Sequence, residues 1–550
     1  MIASIFYSTF FTKYLWICAG LTAGFLVVHV VPYLLDKHHI RRNGITGPFL
    51  AMFSDAWLGW VAAQGRRAEV VHEKHKKYGK FVRLAPNHVS IADPEAIGDI
   101  YGHGNGTLKT DFYDAFISIG VTVFTTRSRE EHTRKRKVIS HGFSQKSVSE
   151  FEPYIRLHVS ELFEQWDELY DGGRKGLTGV EGEGGWKGHD GRVWFNAMPW
   201  CNYLAFDIIS DLAFALPFGM LRNAKDAALT AVDQKAAMSE NGQVNTDMQD
   251  IEKPVVAVRE VPAVKVLNGR SEYSASMGVL PPWWRPIVRL LPWYADGSQD
   301  VEDLAGLAVA AVAKRLAIPT DRTDLLSKLQ QGRHEDGRPL NREELTADAL
   351  TQLIAGSDTT ANSSCAVLYH IISSPRVQAK LQKELDEALA SLDDPVASYD
   401  LVKHLPYLDA VIHEGLRVHS TSGNGLPRLV PEGGLTVCGK WFPAGTVLSA
   451  PTYTIHRDPK VWGEDADVFR PERWLERGQA TLLKAFNTFS YGPRACIGRN
   501  VATMELFIIV SSIFRRYEFV LEEPHKPLEV HEGFIRKPMA CRVGMKRRNV

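Results

Sequence analysis

The sequence predicts a mainly α-helical protein with small β-sheets, preceded by a single transmembrane helix at the N-terminus. Three observations lead to this fold class. Residues 14–35 form an uncharged apolar run long enough to cross a bilayer. Apolar residues recur at helical spacing over residues 130–214 and 301–416. Short alternating segments, at residues 79–97 and after Arg428, are typical of strands.

The N-terminal run predicts a membrane anchor rather than a cleaved signal peptide. Tyr14–Leu35 is longer than the apolar part of a signal peptide, and no small-residue cleavage site precedes the basic cluster after it. That cluster, DKHHIRR, keeps the following chain in the cytoplasm by the positive-inside rule. No internal repeat is visible. We therefore predict residues 1–42 as an anchor with a basic stop, and residues 43–550 as one catalytic domain.

Composition excludes several classes of protein. Lys+Arg and Asp+Glu balance at 64 each, so no net charge attracts nucleic acid, and none is predicted as a partner. The 6 cysteines form no CxxC pair, which argues against a zinc site or a disulfide scaffold. The glycine-rich stretch Asp171–Gly191 lacks GxGxxG spacing, so we predict an exposed, mobile loop there rather than a dinucleotide site.

One cysteine lies in a motif typical of metal binding. FSYGPRACIG places Phe489, Gly492, Arg494, Cys496 and Gly498 in the pattern F-x-x-G-x-R-x-C-x-G. A lone cysteine is ordinarily a small buried hydrophobe. Here a tight glycine turn precedes an apolar helix, and both can stabilise a thiolate through backbone amides and the helix dipole. Phe489 can shield the sulfur from water.

This motif resembles that of the cytochrome P450 family, the haem-thiolate monooxygenases. EGLR places Glu414 and Arg417 three apart on one helix face. Arg473 in FRPERW completes what in this family is a buried Glu-Arg-Arg network behind the haem. The resemblance covers the whole chain. It implies the cytochrome P450 fold and haem b (iron protoporphyrin IX), with Cys496 as the metal ligand and Phe489 beside the cofactor.

A second motif resembles the oxygen-activation segment of the same family. In LIAGSDTTANS, Thr359 follows Ala355 by four residues, so its hydroxyl can bond to that carbonyl and open the helix locally. Asp358 and Thr359 offer a carboxylate and a hydroxyl that can pass protons. The alternative is a solvated Asp-Thr-Thr on an ordinary helix. The resemblance implies that Asp358 and Thr359 are catalytic.

Cationic residues are expected to hold the haem propionates. In EHTRKRK, His132 stands where the family usually has tryptophan, four residues before Arg136. Arg428 and Arg494 are the other candidates. The alternative for EHTRKRK is a solvated basic face, and its other basic residues could also meet an acidic electron donor.

Electrons for the reaction are expected to come from another protein. No segment resembles a flavin module. The resemblance therefore implies an NADPH-cytochrome P450 reductase as partner, with NADPH used only indirectly and O2 as co-substrate. It also implies a single-pass protein of the endoplasmic reticulum membrane, with its catalytic domain on the cytoplasmic side.

Several less general stretches resemble fungal benzoate 4-monooxygenases, among them TLKTDFYDAF and VLPPWWRP. They imply a small aromatic acid as substrate. The most specific version of this prediction is hydroxylation of benzoate to 4-hydroxybenzoate. Attack at the para position follows if the carboxylate is anchored far from the iron. Ordinary packing is the alternative for each candidate substrate residue. These candidates are Phe112, Tyr113, Phe116, Ala355, Ser422, Asn424, Leu426 and Phe534.

Other activities stay open at this point. The chain could hydroxylate another small aromatic or lipophilic substrate, or it could be a reductase-independent haem-thiolate isomerase or dehydratase. A haem sensor without turnover is a third possibility. Asp358 and Thr359 argue against the last two, because neither needs a proton relay. Gly278–Tyr294, rich in Trp, Pro and Arg, is expected at the membrane interface beside the pocket mouth or in a surface turn.

Overall fold

The computed structural model describes residues 2–239, 257–318, 321–334 and 336–549. The other residues of the predicted anchor (1–42) and of the predicted catalytic domain (43–550) lie outside the described part. Helices dominate. They are α1 (Ile2–Phe25), α2 (Val31–Leu35), α3 (Ala56–Ala63), α4 (Arg67–Tyr78), α5 (Glu95–Tyr101), α6 (Arg129–Ser140), α7 (Gln145–Ser149), α8 (Glu152–Arg174), α9 (Ala197–Phe214), α10 (Met220–Asn223), α11 (Gln234–Ser239), α12 (Ala263–Gly278), α13 (Arg285–Val288), α14 (Ala295–Ala317), α15 (Leu325–Gln330), α16 (Arg342–Ile372), α17 (Pro375–Ala388), α18 (Tyr399–Val402), α19 (Pro406–His419), α20 (Thr452–Ile455), α21 (Pro459–Trp462), α22 (Glu472–Glu476), α23 (Gln479–Leu482) and α24 (Arg499–Arg516).

The strands are short. They are β1 (Phe81–Ala85), β2 (His88–Ile91), β3 (Leu108–Lys109), β4 (Thr178–Gly179), β5 (Trp186–His189), β6 (Arg192–Asn196), β7 (Ala228–Ala231), β8 (Val258–Val261), β9 (Arg428–Leu429), β10 (Leu435–Val437), β11 (Lys440–Phe442), β12 (Val447–Ser449), β13 (Tyr517–Leu521), β14 (Val530–Glu532), β15 (Arg536–Pro538) and β16 (Arg542–Arg547). The mainly α fold class with small sheets is confirmed.

The apolar N-terminal run is helical and exposed. Lys13–Leu35, with mean hydropathy 1.9, is the one helix in the described part of the chain that is long and apolar enough to cross a membrane. A π-helical turn at Leu26–Val30 joins α1 to α2. Asp36 ends the helix in a left-handed conformation (φ 44°), and its carboxylate accepts the backbone amides of Arg41 and Arg42. The predicted apolar helix is therefore confirmed.

Two five-stranded sheets flank the helical core. The first has the order β1-β2-β12-β9-β3, and the second has the order β13-β16-β6-β5-β4. The predicted strand pair at residues 79–97 is the antiparallel pair β1–β2, with Phe81 opposite Ile91. The predicted strand after Arg428 is β9, which pairs with β12 and β3. The first sheet thus places Lys109 beside Arg428, since those two residues are register partners.

The prediction of a loop over Asp171–Gly191 is wrong. Helix α8 continues to Arg174, and β4 and β5 form a hairpin that β6 extends. The glycines permit close packing of this hairpin on α8. A Cβ at Gly188 would lie 2.0 Å from the carbonyl oxygen of Gly173. Sequence reasoning took glycine as a sign of a loop, whereas here it allows two backbones to touch.

The core is built around two helices. Every residue of α9 is buried, and α9 packs along α16. Helices α8, α14, α19 and α24 contact this pair. Helix α12, which the sequence analysis did not predict, packs on α14 and ends at Gly278. A Cβ at Gly278 would lie 2.7 Å from the Phe112 ring, so this glycine lets α12 approach the aromatic residues of the site.

Candidate active site

The Cys496 motif forms a tight loop in front of a buried helix. A 3-10 turn at Gly492–Arg494 leads to Cys496, and α24 begins at Arg499. The Cys496 amide donates to the carbonyl oxygen of Phe489 at 2.9 Å, which closes the loop. Gly492 has φ 73°, and a Cβ there would lie 1.9 Å from the carbonyl oxygen of Tyr101. Glycine is therefore required at this position by both backbone conformation and space.

The Cys496 thiol is held in a mixed electrostatic environment. Its side chain is solvent-accessible, yet it lies deep enough among protein atoms for burial to raise the pKa of the thiol. The amides of Gly498 and Arg499 and the guanidinium of Arg136 oppose this rise. These groups favour the thiolate, but the pKa of the thiol stays above its ordinary value, so the thiol remains protonated without a metal ion. A bound metal ion deprotonates such a thiol, so the loop suits a metal ligand.

Cys438 is a second cysteine that lies near possible metal ligands. Cys438 lies with Asp93 and Glu95, and their possible ligand atoms are all within 4.8 Å of one another. Burial, followed by Asp93, raises the pKa of the Cys438 thiol to about 12. Acidic neighbours disfavour a thiolate. Cys438 is therefore the weaker candidate for a haem thiolate, and we retain Cys496.

The predicted cationic residues converge around His132. Burial, followed by Arg494, Lys109, Arg136 and Arg428, lowers the pKa of His132 to about 3, so the imidazole is uncharged at neutral pH. His132 is buried, with a relative exposure of 5%. It thus occupies this position as a neutral ring, in line with its place in the family pattern.

Within the described residues, the hydrogen bonds of the four cations around His132 all go to backbone or hydroxyl oxygens. Arg136 Nη1 donates to Ala495 O at 2.8 Å, which ties α6 to the cysteine loop. Arg494 Nη1 donates to Thr126 O at 2.9 Å. Arg428 Nη1 donates to Tyr113 Oη at 2.6 Å. Lys109 Nζ donates to Phe124 O.

This cluster of cations fits the two carboxylates of haem. Among the described residues, no carboxylate lies in salt-bridge contact with Lys109, Arg136, Arg428 or Arg494. Burial, followed by the other three cations, lowers the pKa of Lys109 well below its ordinary value. Buried like charges are costly unless an anion compensates them. Two propionates would supply that charge, so the donor set fits the cofactor.

Lys109 is the cluster member that sequence reasoning missed. It lies in TLKTDFYDAF, a stretch noted only for its overall sequence similarity to benzoate 4-monooxygenases. A single lysine carries no signal by itself. Its pairing with Arg428 across strands β3 and β9 brings it into the site, and that pairing is not visible in the sequence.

Two of the three basic neighbours of Arg136 do not belong to the solvated basic face that was the alternative interpretation, whereas Lys137 is exposed. Arg134 and Lys135 both donate to Glu344 Oε1 at 2.5 Å. The Lys135 side chain is only 3% exposed. These two cations therefore bind α6 to α16, and they are not free to meet an acidic electron donor.

The Glu-Arg-Arg network has the predicted arrangement. Glu414 Oε1 accepts from Arg417 Nη2 and from Arg473 Nε, each at 2.8 Å, and all three side chains are 0% exposed. Burial would raise the pKa of Glu414, but the two arginines lower it below its ordinary value. Both arginines also donate to Val468 O. The network therefore holds in place the segment before α22.

The threonine of the oxygen-activation motif makes the predicted bond, but α16 is continuous through the motif, so the predicted local opening of the helix is not observed. Thr359 Oγ1 donates to Ala355 O at 2.6 Å, and both residues are exposed on α16. Asp358 is buried and accepts from Asn362 Nδ2 at 2.9 Å. Burial raises the pKa of Asp358 to about 6, while Lys537 and Arg270 limit the rise. The carboxyl can therefore gain or lose a proton near neutral pH, as a relay requires.

The structure brings together four of the eight predicted substrate residues. The rings of Phe112, Tyr113, Phe116 and Phe534 form an aromatic cluster; Phe116 and Phe534, for example, have ring centroids 4.9 Å apart. Leu426 packs instead against another part of the core, and Ser422 is half-buried.

Two predicted carboxylate anchors already have partners. Tyr113 Oη accepts from Arg428, as described, and Asn424 Nδ2 donates to Glu532. Neither group is thus wholly available to a substrate.

Fold, cysteine loop, cation cluster and threonine turn together define a haem-thiolate oxygenase. The chain belongs to the cytochrome P450 family, whose sequence pattern matches residues 54–256 and 264–544. Family membership confirms a cytochrome P450 monooxygenase and implies haem as the cofactor.

Individual relatives agree with this assignment. The chain is 47% identical over 532 residues to benzoate 4-monooxygenase bphA of Aspergillus niger, covering 95% of this chain and 96% of that protein. It is 29% identical over 539 residues to cytochrome P450 monooxygenase cicH of Emericella nidulans, covering 96% and 98%. A cytochrome P450 monooxygenase of Aspergillus terreus is 28% identical over 517 residues.

Proposed function

We propose that this P450 hydroxylates benzoate to 4-hydroxybenzoate, using O2 and electrons that a membrane-bound NADPH-cytochrome P450 reductase delivers. The observation that carries the proposal is the 47% identity, over 95% of the chain, to a protein named benzoate 4-monooxygenase. The aromatic cluster around Phe112 supports it, since packing between aromatic rings suits a benzene ring. The isomerase alternative is disfavoured by the Asp358–Thr359 pair, which such a reaction does not need.

Each group of residues has a role in this proposal. Cys496 binds the haem iron, and the haem supplies oxygen activation. Lys109, Arg136, Arg428 and Arg494 hold its propionates around the neutral ring of His132. Thr359, hydrogen-bonded to Ala355 O within the continuous helix α16, would supply the relay hydroxyl, and Asp358 would supply the carboxyl that exchanges protons.

The proposed location is the endoplasmic reticulum membrane, with the catalytic domain, residues 43–550, on the cytoplasmic side. Lys13–Leu35 would span the bilayer. Large exposed apolar side chains support this arrangement, because they are typical of a membrane interface. They are Phe49, Leu50, Trp60, Trp283, Ile287 and Leu290. His29, in the apolar helix, and Trp284 have ring centroids 6.4 Å apart, so the segment that contains Trp283 and Trp284 lies beside that helix.

Benzoate titrated into the purified holoprotein is expected to shift the Soret band towards the high-spin form. An aromatic ligand that binds beside the iron displaces weakly held water from it. Cyclohexanecarboxylate, which keeps the carboxylate but lacks the aromatic ring, is the matched control and should bind more weakly. No shift at millimolar benzoate would contradict the proposed substrate and leave the enzyme class intact.

Thr359→Ala is expected to uncouple NADPH consumption from product formation and to release hydrogen peroxide instead. The variant lacks the hydroxyl that bonds to Ala355 O, so proton delivery becomes disordered. The measurement compares NADPH used, 4-hydroxybenzoate formed and peroxide released in the reconstituted system. Thr351→Ala is the matched control, since Thr351 lies about two turns before Thr359 in α16 and its Oγ1 makes the same kind of bond to Ala347 O. Equal coupling in both variants would argue against the relay.

A further inference from the structure

A cavity of about 580 Å³ lies beside the aromatic cluster, on the side of the apolar helix. Its lining includes Leu35, Lys37, Arg67, His88, Phe112 and Pro281. Cavities of this size are typical of small-molecule sites. Cys496 and Thr359 do not line it. Phe112 does, and Phe112 also belongs to the aromatic cluster, so this residue connects the cavity to the candidate active site.

Arg67 is the unusual residue of this cavity. It is the first residue of α4 and only 5% exposed. Within the described part of the chain, its guanidinium has no hydrogen bond or ion pair, and its central carbon lies 6.0 Å from the centroid of the Phe112 ring. Its N–H donors therefore have no protein acceptor and stay accessible from the cavity, although the residue as a whole is buried. A buried guanidinium is costly unless an anion or hydrogen-bond acceptors compensate it.

The acid nearest to Arg67 is already engaged. Glu532 acts on Arg67 electrostatically but does not reach salt-bridge distance. Glu532 Oε2 instead accepts the amide of Ala68 at 2.8 Å, and its Oε1 accepts from Asn424. Arg67 also lines a small second cavity of about 10 Å³ with Asn424, Gly425 and Ser449. The guanidinium therefore lies between the large cavity and the segment that leads to Arg428.

The other ionisable groups of the large cavity are compatible with an anion at Arg67. Asp111 Oδ2 lies 3.8 Å from Arg285 Nη2, which balances its charge. Burial raises the pKa of Asp55 to about 6, so an ordinary drop in pH protonates it more readily than a solvated aspartate. Burial, followed by Arg67, lowers the pKa of His88 to about 3, so its ring is neutral; it is hydrogen-bonded to Ser449 Oγ at 2.8 Å.

We propose that Arg67 binds the carboxylate of the aromatic acid substrate, with the ring of the acid against Phe112, in the cavity beside the aromatic cluster. This inference rests on the proposed function. A guanidinium can bind a carboxylate through two parallel hydrogen bonds. The site selects acids over neutral aromatics of the same shape, which the aromatic cluster by itself cannot do. It also assigns the anchor to a residue that lacks the existing partners of Tyr113 and Asn424.

The test compares ligands and variants by Soret titration of the holoprotein. Arg67→Gln is expected to weaken benzoate binding about 10- to 100-fold, because charged hydrogen bonds are lost. Benzamide, which has nearly the same shape without the charge, should bind wild type and variant within about twofold, since no charged hydrogen bond is at stake. Arg66→Gln is the matched control: Arg66 is exposed, is paired with Glu69 at 3.1 Å, and does not line the cavity. Its benzoate affinity should not change.

The outcomes separate this inference from the proposed function. If wild type itself shows no response to benzoate, the proposed function fails. If wild type responds and Arg67→Gln binds benzoate equally well, the Arg67 inference is overturned and the proposed function stands. An equal loss for benzamide would also overturn it, because only the shape of the cavity would then matter.

Folding of the variant is checked independently. Removing a buried charge that has no partner should leave the Tm of the ligand-free protein unchanged or raise it. Should Arg67→Gln fail to incorporate haem, Arg67→Lys is titrated instead. Lysine keeps the positive charge but lacks the paired N–H donors of the guanidinium. The affinity for benzoate should therefore fall less than in Arg67→Gln, and the affinity for benzamide should fall less still. Equal losses for the two ligands would contradict the inference there too.

Discussion

Glu414→Ala is expected to destabilise the protein by about 3–5 kcal/mol, because it leaves two buried arginines without their counter-charge. Glu414 accepts five hydrogen bonds: two from Arg417 within α19, and three that link α19 to α22 and the segment before it, from Arg473, Trp474 Nε1 and the Arg470 amide. Typical domains have a total stability of about 5–15 kcal/mol. The midpoint of urea unfolding and the haem content should therefore both fall sharply.

The matched control is Glu476→Ala. Glu476 is also paired with an arginine, since its Oε2 lies 2.7 Å from Arg470 Nη1, but its side chain is 54% exposed. An exposed pair contributes about 0–1 kcal/mol. If the two variants were equally stable, the buried network would have no special role in holding the segment before the cysteine loop.

Cys496→Ser is expected to reduce monooxygenase activity to background and to remove the thiolate-type Soret maximum of the reduced carbon-monoxide complex. Serine has nearly the volume of cysteine, so the loop should fold. Its neutral hydroxyl, however, cannot provide the negative sulfur ligand that favours cleavage of the O–O bond. Spectrum, haem content and turnover are measured together on the same preparation.

Cys438→Ser serves as the control for this prediction. Cys438 is partly buried, and its acidic neighbours disfavour the thiolate. The variant should keep the spectrum and the activity of wild type. The reverse pattern, in which Cys438→Ser loses the thiolate spectrum and Cys496→Ser keeps it, would show that Cys438, beside Asp93 and Glu95, is the metal ligand.

Local spacing explains what could be predicted. Glu414 and Arg417 share a face because they are one helical turn apart, and Thr359 reaches Ala355 O for the same reason. Gly492 marks a tight turn because its backbone has φ 73°, which favours glycine. These relations hold within a few residues of one another, so the sequence contains them directly.

The sequence by itself determined the mainly helical fold, the apolar N-terminal helix and the motifs of the cytochrome P450 family. Only the tertiary structure decided that Lys109 joins the cation cluster, that Lys135 binds Glu344 instead of solvent, and that the glycine-rich stretch is a hairpin. It also decided that Arg67 is buried with no hydrogen-bond or ion-pair partner in the part of the chain that the structure describes. The physical reason is that burial and pairing depend on segments far apart in the chain, as when Glu532 bonds to Ala68 and Asn424 and so does not pair with Arg67.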